Sequence, residues 1–239
     1  MNCRELLGAI AGAALANSAE KAIAGEHEHM EREGHLNRSA NVTLPAAGEY
    51  AQIDTQLARS AMDALRQGKP VDRQATIERI RAHPENYAPP VFYVLSSVLF
   101  EGGEKDEAAF WFYAGQLRGR FDANRCADAT ARGAIDQLND MFGTPINKYT
   151  FRDLDKLEAL VLKVLEWDRT THHNYDHRWI NLHGMDAMRS SLLIEQENPQ
   201  PLSLPEDRWE AIAETTRTKY LEDFKKVVEW KKTRKAVPE

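Results

Sequence analysis

Pro89 to Phe121, PPVFYVLSSVLFEGGEKDEAAFWFYAGQLRGRF, reads as two apolar helices folded back on each other across a Gly-Gly turn. Pro89 and Pro90 suit the first helical positions, where a missing N–H costs nothing. Gly102 and Gly103 end that helix, and a second begins near Lys105. The pairing decides the fold class, because apolar residues at three-and-four spacing recur on both sides of it and strand alternation does not.

Upstream, Ile53, Leu57, Ala61, Ala64 and Leu65 fall on one helical face, and Gly68 with Pro70 stops the element. A shorter helix fits Asp72 to His83, with Asp72 as N-cap and Pro84 as the stop. Downstream, helices are expected over Lys105 to Gly119 and Asn124 to Phe142, the latter ended by Gly143, Thr144 and Pro145. Thr150-Phe151-Arg152-Asp153 has the form of a capping box ahead of the stripe Leu154, Leu157, Val161, Val164 and Leu165. A short helix fits Met185 to Ile194. Ser203-Leu204-Pro205-Glu206 is a second capping box, opening a last helix with Trp209, Ile212, Thr216, Tyr220, Phe224 and Val227 on its inner side. The expected fold is all-α: a helical bundle or short solenoid-like array of antiparallel helix pairs, with seven to eight helices.

The 239 residues are 42% hydrophobic and 28% charged, a composition that argues against disorder and against a membrane-spanning bundle. A net charge of −6 gives no electrostatic reason for nucleic-acid binding and suits a basic partner better. Residues 49–239 are read as one helical domain and residues 17–48 as a polar arm. Leu6 to Ala16 has the length of a signal-peptide apolar region, although Arg4 beside Glu5 is a poor positive flank. The expected compartment is periplasmic if residues 1–16 are a signal peptide and cytoplasmic otherwise. The two cysteines, Cys3 and Cys126, are too few for a disulfide framework, and Cys126 in its alanine-rich setting reads as a buried thiol.

Within the hairpin, Phe92, Leu95, Ser96 and Leu99, then Ala108, Phe112 and Gly115, resemble the spacing of one tetratricopeptide repeat. The resemblance implies large residues packed inside and small ones where the helices cross closely. Leu99 replaces the expected aromatic, Arg120 stands where the closing proline belongs, and Gln74 and Glu78 spoil a second copy upstream. Phe110, Trp111, Phe112 and Tyr113 are consecutive, so they cannot share one face. Unless this helix is covered on several sides, Phe110, Trp111 and Tyr113 form an aromatic patch that anchors a protein partner.

The chemical candidate is Thr171 to Asp186, which carries four of the eight histidines. His173-Asn174-Tyr175-Asp176-His177 resembles the inverted zinc-protease pattern, which implies a divalent metal on His173 and His177 with the acid between them as base. Asp176 is shorter than that family's Glu, and Thr170 to Asn174 is a poor helix former, so the two histidines need not share a face. The competing reading is a packed loop anchored by Trp179, Ile180 and Leu182, with Asp176 capping a turn and His183 in the core. Glu26-His27-Glu28-His29 with His35 reads as a solvated arm, and the basic run Lys225 to Lys235 as a complement to the helix dipole.

Three functions follow. The first is a binding module that presents a groove or aromatic patch to a protein, similar in general character to bacterial immunity proteins that occlude a cognate toxin. The second is a metal-dependent hydrolase built on the His/Asp cluster, and the third a structural or assembly subunit. The sequence favours a binder without cofactor over an enzyme.

Overall fold

The structure is a computed structural model and describes residues 45–192 and 201–235. The candidate signal region, nearly all of the polar arm and the histidines at 27, 29 and 35 lie outside these residues.

Eight α-helices carry the described residues: α1 (Gln56–Gln67), α2 (Pro70–Ala82), α3 (Pro89–Glu101), α4 (Lys105–Arg125), α5 (Gly133–Thr150), α6 (Leu154–Thr170), α7 (Met185–Ser191) and α8 (Trp209–Lys235). The fold is all-α, and among the described residues β-type pairing is confined to an isolated antiparallel bridge between Cys126 and Ser203. Among the described residues, no helix is long and apolar enough to cross a membrane.

α4 is the central element, packed against α3, α5, α6 and α8. Its pairing with α3 follows from the turn: Gly103 takes φ +91°, open to glycine, and Glu104 N–H donates to the Leu99 carbonyl at 2.9 Å. Small residues let the two helices approach. Ser96 Oγ donates to the Ala108 carbonyl at 2.7 Å, and a Cβ on Gly115 would stand 3.0 Å from the Tyr93 ring. One apolar cluster runs from Ala58 on α1 to Val228 on α8. Full burial of Phe92 and Phe112 within it contributes about 2–3 kcal/mol each.

Several boundaries depart from the sequence expectation, each for a physical reason. Pro70 opens α2, because proline fits the first helical position, and Asp72 lies in the first turn. α4 runs past Gly119 to Arg125, so Asn124 belongs to its end. α5 continues through Gly143 and Pro145: Ile146 is buried, and Asn147 and Thr150 accept or share hydrogen bonds with the Tyr113 hydroxyl at 3.0 and 3.1 Å. Tertiary packing there outweighs the proline penalty. Thr150 is the last residue of α5, with its hydroxyl on the Ile146 carbonyl. Asp153 is the cap of α6, accepting from the Lys156 N–H at 3.0 Å. Ser203 caps nothing; its hydroxyl meets His177. Of the two adjacent valines on α8, Val228 is buried and Val227 is 43% exposed.

Candidate functional site

Three of the four consecutive aromatics are covered, and Phe110 is partly buried. Helices on several sides of α4 leave Trp111 and Tyr113 each 5% exposed and Phe112 fully buried, and Phe110 stacks edge-on against Trp111 and Trp167. Trp111 Nε1 donates to Glu107 at 3.0 Å. Trp111 and Tyr113 of the expected patch are therefore interior packing, and Phe110 alone keeps part of its ring at the surface.

The histidine cluster is spread apart. His173, Asp176 and His177 sit on a loop that tightens into a 3-10 turn over His177–His183, so four-residue spacing puts the two rings in different surroundings. Nε2 of His173 donates to Asp168 at 3.3 Å and the ring stacks on Tyr175. Asp176 accepts from the Arg178 N–H at 3.0 Å and pairs with its guanidinium at 2.7 Å, as a turn cap does. Nε2 of His177 shares a 2.8 Å hydrogen bond with Ser203 Oγ, and its ring meets Trp209 edge-on. Burial lowers the affinity of His173, His177 and His183 for a proton, with His177 and His183 down to about 4. Among the described residues, no group of three or more His, Cys, Asp or Glu side chains is placed to hold a metal ion. Burial also pushes the Cys126 thiol up to about 11, which makes it a poor nucleophile.

What anchors this loop is a buried charge network that composition and periodicity left unseen. Asp168 on α6 accepts from Arg118 Nε at 3.2 Å, His173 Nε2 at 3.3 Å and Arg217 Nε at 2.9 Å. Arg118 is wholly buried, lies 4.2 Å over the Trp167 ring, and reaches the Thr171 carbonyl at 2.9 Å. One helical turn on, Asp122 accepts from Arg125 at 2.6 Å, Tyr175 at 3.0 Å and Trp179 at 2.7 Å. Burial would raise the Asp168 carboxyl, but the His173 hydrogen bond and the arginines on either side overcome it and bring it down to about 2. Arg118, Asp122 and Arg125 stand four and three apart, the spacing of one face, but Lys105, Asp106, Glu107 and Arg120 on the same helix leave that spacing without distinction in the sequence.

An open site lies on the other side of the hairpin. A groove of about 720 Å³ runs along α3, between the α1–α2 pair and α5. Val94 and Val98 form its floor, Met141 and Phe142 one wall, and Leu65 and Ile77 the other. Its rim is charged: Arg66 and Arg73 at the α1–α2 turn, Glu101 and Glu104 at the α3–α4 turn. A concave surface of this size, lined about equally by apolar and polar groups, can receive a peptide segment. The geometry offers shape and charge for recognition. No protein-family model, curated protein or solved structure matches this chain.

Proposed function

We propose that the protein is a binding module that takes a segment of a protein partner into the groove over α3, in the manner of an immunity-type protein that occludes a toxin. The observation that carries this is the groove itself, apolar along its floor and charged at its rim. Helix-lined grooves of this kind bind through a few apolar anchors, with rim charges setting orientation. The net charge of −6 favours encounter with a basic partner. The buried network on the far side of α4 supports the role by fixing the scaffold against which the groove is built.

Capture from the native host tests it. Tagged full-length protein should retain one stoichiometric partner, and Val98→Asp in the groove floor should lose it. Leu162→Asp, on the exposed outer side of α6 at 47% exposure, should keep it. Retention by Val98→Asp together with loss by Leu162→Asp would move the interface to α6 and end the groove reading.

A further inference from the structure

The two ends of the groove carry opposite charge, and this restricts what can lie in it. At the α1–α2 turn, Arg73 Nη2 donates to the Arg66 carbonyl at a long 3.3 Å, while its Nε is shut away from solvent with no acceptor. The Arg73 side chain as a whole is partly exposed at the groove rim, so a carboxylate in the groove can reach its guanidinium and match its charge. At the α3–α4 turn the charge is negative. Glu104 is held by Arg81 at 2.7 Å, and exposed Glu101 accepts from Ser97 at 3.3 Å.

The distance between the ends follows from α2. Arg73 and Arg81 are eight residues apart on that helix, a rise of about 12 Å at 1.5 Å per residue. Arg81 marks the acidic end because its side chain holds Glu104, and the apolar surface of Val94, Val98 and Phe142 lies along the same groove.

Building on the binding role above, we infer that the groove selects a peptide segment of the partner with an apolar centre, an Asp or Glu at one end to meet Arg73, and a Lys or Arg at the other to meet Glu101. The two charges stand about four residues apart if the segment is extended, at about 3.3 Å per residue, or about eight apart if it is helical. A segment with like charges at both ends meets repulsion at one of them.

A displayed library of random twelve-residue peptides, panned against the folded full-length chain, tests this directly. The expected outcome is an enriched pattern of acid, apolar centre and base at one of those two spacings, with binding of a synthetic copy lost on Val98→Asp or on the groove-filling Ser97→Trp. Arg73→Glu should weaken that peptide at least tenfold and, on renewed panning, enrich peptides with Lys or Arg in place of the acid. Circular dichroism checks that each variant is folded. Peptides that need the groove but keep their affinity when the acid is changed to Gln overturn the charge rule and leave the groove reading standing. Peptides indifferent to both groove variants, or a library that enriches nothing, overturn both.

Discussion

The two halves of α4 are buried to the same degree by different means. From Ala108 to Leu117 the helix is covered by apolar and aromatic contact: Phe112 is fully buried, edge-on to Tyr93 at 5.5 Å, and Trp111 lies among Phe92, Phe110 and Trp167. From Arg118 to Arg125 it is covered by charge, with Arg118, Asp122 and Arg125 at 0, 0 and 4% exposure. The first half tolerates imperfect geometry, because apolar contact is non-directional. The second is all or nothing, because a buried charge that loses its partner has no water to return to.

The largest effect expected from this contrast is at Asp168. Replacing it by Ala strips a shared acceptor from Arg118 and Arg217 and leaves His173 without its hydrogen bond. Breaking a buried pair by removing one partner costs about 3–5 kcal/mol, which urea unfolding should register as a large drop in midpoint. A loss under about 1 kcal/mol would mean that water reaches the arginines in solution. Leu117→Ala, next to Arg118 in sequence and on the apolar side of the comparison, should cost about 2–5 kcal/mol, towards the lower end where neighbours relax into the space. If Leu117→Ala proves the more damaging of the two, the apolar half dominates the stability of α4 and the contrast drawn above fails.

The apolar half was legible in the sequence and the charged half was not, for the same reason. Hydrophobic periodicity reports which face of a helix is covered, so the α3–α4 hairpin, the stripe on α6 and the all-α class could be read directly. It does not report that a charged residue is covered too. Arg118, Asp122 and Arg125 drew no reading from the sequence because the partners Asp168, Tyr175 and Trp179 come from distant parts of the chain. The four consecutive aromatics misled in the opposite direction: a helix covered by several others has little spare surface, so a run that cannot share one face still has Trp111, Phe112 and Tyr113 buried and Phe110 partly so. The histidine motif failed on backbone geometry. Thr171 to Asp176 adopts loop conformation before the 3-10 turn, and spacing carries meaning only once the period is known. The groove was expected only as a property of the hairpin and its neighbours, since its walls come from helices the sequence could not place side by side.

A subtler consequence of the loop's docking is its response to acid. His173, His177 and His183 each prefer the neutral form in the fold, foremost because burial penalises the charged ring, with Arg125 adding to the effect at His177 and Arg118 at His173. A base whose folded pKa lies below its unfolded value binds protons more readily when unfolded, so its contribution is fully present above about pH 6.5 and is lost as pH falls towards 4. Asp168, at about 2, stays ionised through that window, so the arginine pairs persist and the loss belongs to the histidines. Thermal unfolding at pH 7.5 and pH 5 should therefore differ by a few degrees in Tm, a smaller effect than either substitution above. His177→Gln, which keeps a polar partner for Ser203, should flatten part of the fall. His83→Gln, at a side chain 68% exposed, should leave it unchanged. Equal flattening by both variants would place the acid response on the surface and detach it from the docked loop.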